Sequence, residues 1–149
     1  MLAGRASYSR AVLATVTPDI EQLIRRNLQL QIANGMDDAA LDGSGSGAVP
    51  QGIANATGIE TFATASGSTM THAESLDAIA EVGANNHDTS NGVWLVHPTD
   101  AATLGAQAKD SGSGQFVYED GRIAGRRVIE TTHAAAGTCF FGPMSTDRT

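Results

Sequence analysis

The segment "TPDIEQLIRRNLQLQIANGMDDAAL", Thr17 to Leu41, narrows the choice of folds before any other part of the chain is considered. Thr17 is a good N-cap, Pro18 suits the first helical position, and Asp19 and Glu21 favour the positive end of a helix dipole. Ile20, Leu23, Ile24, Leu28, Ile32, Met36 and Ala39 recur in steps of three and four, which predicts one apolar helical stripe. Gly43 then supplies a left-handed residue to stop the helix. At about 1.5 Å per residue the helix is on the order of 36 Å long. A domain this small cannot cover such a length. A helix that outruns its own core packs against a neighbour or against other parts of a larger chain.

The tract after the helix, "DGSGSGAVPQGI", has three readings: a slack tether, a phosphate cradle or a shaped turn. Alternating Gly and Ser offers little surface to bury, which favours a tether. "GSGSGA", Gly43 to Ala48, fits a G-x-G-x-x-A pattern. A dinucleotide turn, however, comes after a strand and opens a helix, and here a helix precedes and Pro50 succeeds it. No Lys closes the tract as a P-loop requires.

Downstream, "PQGIANATGIETFATASGST" reads as loop. "THAESLDAIAEVGANN" restarts a helix, with Thr71 and Glu74 as a capping box and Leu76, Ile79, Ala80 and Val82 as its apolar side. "NGVWLVHP" is a strand buried on both faces, and Pro98 opens a helix through "PTDAATLGAQAKD" with Ala101, Leu104 and Ala108 inward. Asp120-Gly121 between apolar runs predicts a hairpin, and "AAAGTCFFGPM" a last turn and strand. The order is that of an α+β fold, with no solenoid repeat.

Chemistry is hard to find. The four histidines, His72, His87, His97 and His133, never fall at metal-ligand spacing. His97 reads as the cap of the next helix, His133 as a loop residue, and His72 as exposed and neutral in a first turn. Asp37 and Asp38 are adjacent, so on a helix they point apart and share no site. Arg25 and Arg26 are expected to pair with Glu21 or with acids of another chain, and the Arg pair in "GRRV", Gly125 to Val128, reads as a surface edge or a subunit salt bridge. The Ser residues of the Gly-rich turns lack a G-x-S-x-G elbow. The single cysteine, Cys139, excludes an internal disulfide and reads as a small buried hydrophobe. No catalytic, cofactor-binding or metal-binding residue is expected, and no cofactor.

Composition fits a covered surface better than a free one. Charged residues are 17%, against roughly 25% for an average domain. The net charge of −7, with Lys109 the one lysine and no basic cluster, argues against a nucleic-acid grip. No apolar run reaches the roughly 18 residues of a membrane span, and the N-terminus shows no charged-then-apolar export signal.

Taken in order, "SYSRAVLATVTPDIEQLIRRNLQLQIANGMDDAALDGSGSGAVPQGI", "VWLVHPTDAATLGAQAKDSGSGQFV", "GRIAGRRVIET" and "AAGTCFFGPMS" resemble the major capsid protein of tailed bacteriophages, the Hong Kong 97-type fold. The likeness runs from about Ser7 to about Ser145. Its marks are a Ser-Arg before the long helix, D-x-A-x-L-x-G-x-G at the helix end with Pro-x-Gly-Ile after it, an apolar strand closed by a polar residue and Pro, a K-D-x-x-G-x-(F/Y) loop, and a G-x-x-V strand after a hairpin. Each alone is weak; their collinear order carries the signal.

The resemblance implies a spine helix of the peripheral domain in residues 1–42 and an incomplete axial domain in 43–149. The Gly/Ser tract becomes a shaped exit between them. It further implies a virion shell subunit, assembled in the bacterial cytoplasm, whose partners are copies of itself in pentamers and hexamers around double-stranded DNA. No membrane and no small-molecule substrate are expected. The family's N-terminal arm, extended loop and last strands have no counterpart here, so closed shells are not expected of this piece. Lys109 does not stand where some relatives cross-link. Two alternatives remain: an encapsulin-like compartment on the same fold, told apart by gene neighbours, and a small serine hydrolase, which a serine-reactive probe would reveal.

Overall fold

A computed structural model describes residues 19–64, 69–112 and 114–143. The chain divides into two compact units, Met1–Ile59 and Glu60–Thr149. In the first, the long helix (α1) runs from Asp19–Asp42, 24 residues. The expected cap at Thr17 and Pro18 lies outside the described residues, as does the side chain of Ile20. Arg25 bonds Glu21 at 2.6 Å, one turn away, in the pairing expected of it. Both side chains are exposed, so the ion pair adds little stability.

The second unit is a two-layer α+β body. Helix α2 spans His72–Ala84, strand β1 Val93–Val96, helix α3 Pro98–Ala106, then β2 Tyr118–Glu119, β3 Arg122–Ile123, β4 Arg126–Glu130 and β5 Phe140–Gly142. The sheet order is β2-β3-β4-β1-β5, with β1 and β4 parallel and every other pair antiparallel. Side-chain alternation divides the sheet into two faces. Trp94, Val96, Val128 and Ile123 join Ala101 and Leu104 of α3, with Met70 and Val117, in the buried core, and Ala78 and Ile79 of α2 pack against it. Val93, Leu95, Arg127 and Ile129 alternate with those residues on the other face.

Local signals fix the helix starts. Thr71 accepts a bond from the Glu74 amide at 3.3 Å while Glu74 accepts one from the Thr71 amide at 2.7 Å, the reciprocal cap expected from sequence. Replacing Thr71 by alanine is expected to cost about 1 kcal/mol in urea unfolding. His97 caps α3, its Nδ1 accepting from the Thr99 amide at 3.2 Å. Asp120 and Gly121 both take positive φ, 52° and 71°, as a tight type I′ hairpin needs.

Three expectations are corrected. Leu76 and Ala80 of α2 are exposed; the inward side is Ser75, Ala78, Ile79 and Val82. Fully buried Ser75 meets its polar need by donating to the His72 carbonyl at 2.7 Å. Helix α3 stops at Ala106, and Ala108 instead forms an antiparallel bridge with Phe116. A further turn at Ala124 and Gly125, φ 49° and 76°, separates β3 from β4. Cys139 is exposed rather than buried, because β5 begins only at Phe140 and places Phe141, not the thiol, against Trp94.

Candidate assembly surfaces

The end of α1 is built by close backbone approach. The Gly43 amide closes the helix on the Ala39 carbonyl at 3.1 Å, and the Gly52 amide returns to the Gly43 carbonyl at 2.8 Å. Between them Ser44 and Gln51 form an antiparallel bridge, and Gly45 and Gly47 turn the chain with φ of 67° and 65°. The tract is therefore a tight hairpin, neither tether nor cradle. Gly43 is not left-handed, contrary to its expected role as a helix stop. A Cβ there would lie 2.2 Å from the Pro50 carbonyl oxygen and 2.3 Å from that of Ala39, so proximity selects glycine at this point.

Asn55, which the sequence did not single out, locks the exit. Its side-chain amide donates to the carbonyls of Asp42 at 3.3 Å and Gly43 at 3.1 Å, and its own carbonyl accepts from Gln51 at 2.6 Å. These are carbonyls that a helix end leaves unpaired. Its place three residues after Gly52, in the Ile53–Asn55 3-10 turn, was the available signal. Asn55→Ala is expected to cost about 1 kcal/mol and to speed amide exchange in the hairpin.

Along α1 the apolar residues occupy two sides rather than one. Ile24, Leu28 and Ala39 are half-buried and share a face with Ile32 and Met36. Leu23 and Leu30 lie on the opposite side, 59% and 53% exposed, and Met36 is 62% exposed. The single stripe read from sequence, which included Leu23, is thus corrected. A helix apolar on two sides needs cover on two sides.

The chemical candidates stay apart. His87 is exposed, His133 lies half-buried in the loop before β5, and His97 is spent as a cap. His72 is half-buried, not exposed as expected, and its buried Nδ1 finds no hydrogen-bond partner. Asp37, Asp38 and Arg26 are exposed on α1, and Arg126 donates to the Ser90 carbonyl at 2.8 Å. Ser90 in turn donates to Asp88 through its hydroxyl and its amide, which holds that carboxyl below its ordinary range. Tyr118 donates to Glu130 at 2.5 Å, which raises the phenol above its usual value. Both shifts are local consequences of hydrogen bonding within turns and strands. Among the described residues no group of three or more His, Cys, Asp or Glu could hold a metal ion. No helix among them is long and apolar enough to cross a membrane.

The sequence profile of the phage capsid family matches residues 1–147, nearly the whole chain, and the protein belongs to that family. No curated protein matches it. The expected α+β architecture and the family resemblance both hold.

Proposed function

We propose that the protein is a shell subunit whose work is repeated contact with copies of itself, in pentameric and hexameric rings, to enclose double-stranded DNA in a virion. The observation that carries this reading is α1, whose two apolar sides leave Leu23, Leu30 and Met36 in water unless another surface meets them. In this reading α1 is the spine helix of a Hong Kong 97-type peripheral domain, the Gly43–Gly52 hairpin is its rigid exit, and the sheet-bearing unit is the axial domain. The subunit is not an enzyme, binds no cofactor, and is assembled in the bacterial cytoplasm. An acidic chain of net charge −7 confines DNA without gripping it, since it offers phosphates no counterion-release attraction.

Sedimentation velocity across a concentration series tests the proposal. Mass-action growth from monomer to discrete oligomers is expected, with Leu30→Asp and Met36→Asp shifting the series back toward monomer. A chain that stays monomeric at every concentration overturns it. Stoichiometric labelling of one serine by a fluorophosphonate would overturn the non-enzymatic part.

A further inference from the structure

The sheet of the second unit takes the buried residues of both helices on one face, and the opposite face carries an apolar strip of Val93, Leu95, Ile129 and Phe140 beside the charged Arg127, Arg122 and Glu119. Ile129 is 39% exposed there, Val93 and Phe140 are half-buried, and Leu95 between Ile129 and Phe140 is buried. Next to this strip Arg122 and Arg127 stand directly across from each other on β3 and β4, a like-charge pair that weakens a ladder. Arg122 donates to the Gly125 carbonyl at 3.2 Å and faces Glu119 across β2. Among the described residues neither arginine lies within salt-bridge distance of a carboxylate.

The opposite layer of the same unit carries the complementary arrangement. Helix α2 turns Leu76, Asp77, Ala80 and Ala84 outward. Asp77 and Glu81 are one turn apart, a like-charge spacing that weakens a helix, and α2 contains no lysine or arginine to relieve it. Small residues around Leu76 leave room for protruding side chains such as Ile129 and Phe140.

We propose that the open sheet face of one copy packs against the outward side of α2 in the next, with Arg127 and Arg122 meeting Asp77 and Glu81 around an apolar centre of Ile129, Phe140 and Leu76. This contact deepens the self-association proposed above and rests on it. The two surfaces lie on opposite layers of one body, so the contact is head-to-tail: every copy offers its helix to one neighbour and its sheet to another. Such heterologous contacts close into rings when the rotation between copies allows. Charge complementarity fixes the direction around the ring, because sheet against sheet or helix against helix would oppose like charges.

Charge exchange on the whole chain tests the assignment, read by sedimentation velocity with circular dichroism as the check on folding. The pair Arg122→Glu and Arg127→Glu, or the pair Asp77→Arg and Glu81→Arg, is expected to weaken self-association about tenfold or more. All four substitutions together are expected to restore it. Mixing the two pair variants is expected to do the same, since each supplies the face the other lacks. Parental assembly by either pair variant overturns the proposal, and so does failure of both the fourfold variant and the mixture to recover while the pair variants keep their native spectra. A parent chain that never associates instead overturns the shell-subunit reading itself.

Discussion

Replacing Gly52 by valine is expected to dismantle the exit from α1 and to destabilise the first unit by about 3 kcal/mol, toward the upper end of overpacking costs. A Cβ at this position would lie 2.4 Å from the Gly43 nitrogen, 2.7 Å from the Leu41 oxygen and 2.8 Å from the Asp42 nitrogen. All three are backbone atoms, so no side chain can swing aside to make room. The hairpin must open, and with it go the Gly52-to-Gly43 bond and the Asn55 clamp. Gly47→Ala is the control: φ there is 65° but nothing lies within 4 Å of the added carbon, so only the conformational penalty of about 1 kcal/mol applies. Limited proteolysis between Ser44 and Gln51, with urea unfolding of both variants, separates the two costs. Equal stability of the variants would show that close approach does not hold the exit.

Truncating Trp94 to alanine is expected to cost the second unit about 4 kcal/mol. The side chain is 1% exposed and its ring lies 4.7 Å from that of Phe141, so it joins β1, β5 and the helical layer at one point. Gly92 makes the same joint: a Cβ there would meet the Phe141 ring at 2.3 Å. Trp94→Phe is expected to cost much less than its volume loss suggests, because the buried indole Nε1 has no hydrogen-bond partner to lose. Thermal unfolding followed by far-ultraviolet circular dichroism gives both values. An alanine variant within about 1 kcal/mol of the parent would contradict the described core.

The features that could be read in advance are those whose chemistry is local. Thr71 and Glu74 announce a capping box, His97-Pro98 a capped helix start, and Asp120-Gly121 a tight turn, since in each case the side chain meets backbone a few residues away. The misreadings share the opposite property. Gly43 passes for a left-handed stop because its true constraint, the Pro50 carbonyl, comes from across the hairpin. Ser75 is buried in place of Leu76 because the register of α2 against the sheet outweighs the hydrophobicity of one residue. Ala124 takes positive φ without Asn, Asp or Gly in its place, so the second turn carried only Gly125 as a signal.

The assembly surfaces were legible in outline only. The length of α1 and the low charge content point to cover by other surfaces, but which residues need it depends on which side the rest of the unit already occupies. Leu23 belongs to the expected stripe by spacing, yet it lies across the helix from Leu28 and Ile32. The two faces of the sheet could not be told apart before β1 and β4 were known to pair in parallel, because that register sets Ile129 beside Leu95 and Arg127 beside Val93.

The pair of type I′ turns around β3 also bears on how the second unit comes to be folded. The meander β2-β3-β4 joins residues only a few positions apart, so its loops close at small entropic cost. The parallel pairing of Val93 with Arg127 must instead wait for α3 and the meander to be drawn in, and β5 can dock only on a β1 already in place. The edges of β1 would thus be the last to be covered, and substitutions in the β3–β4 turn should slow refolding more than those in β5.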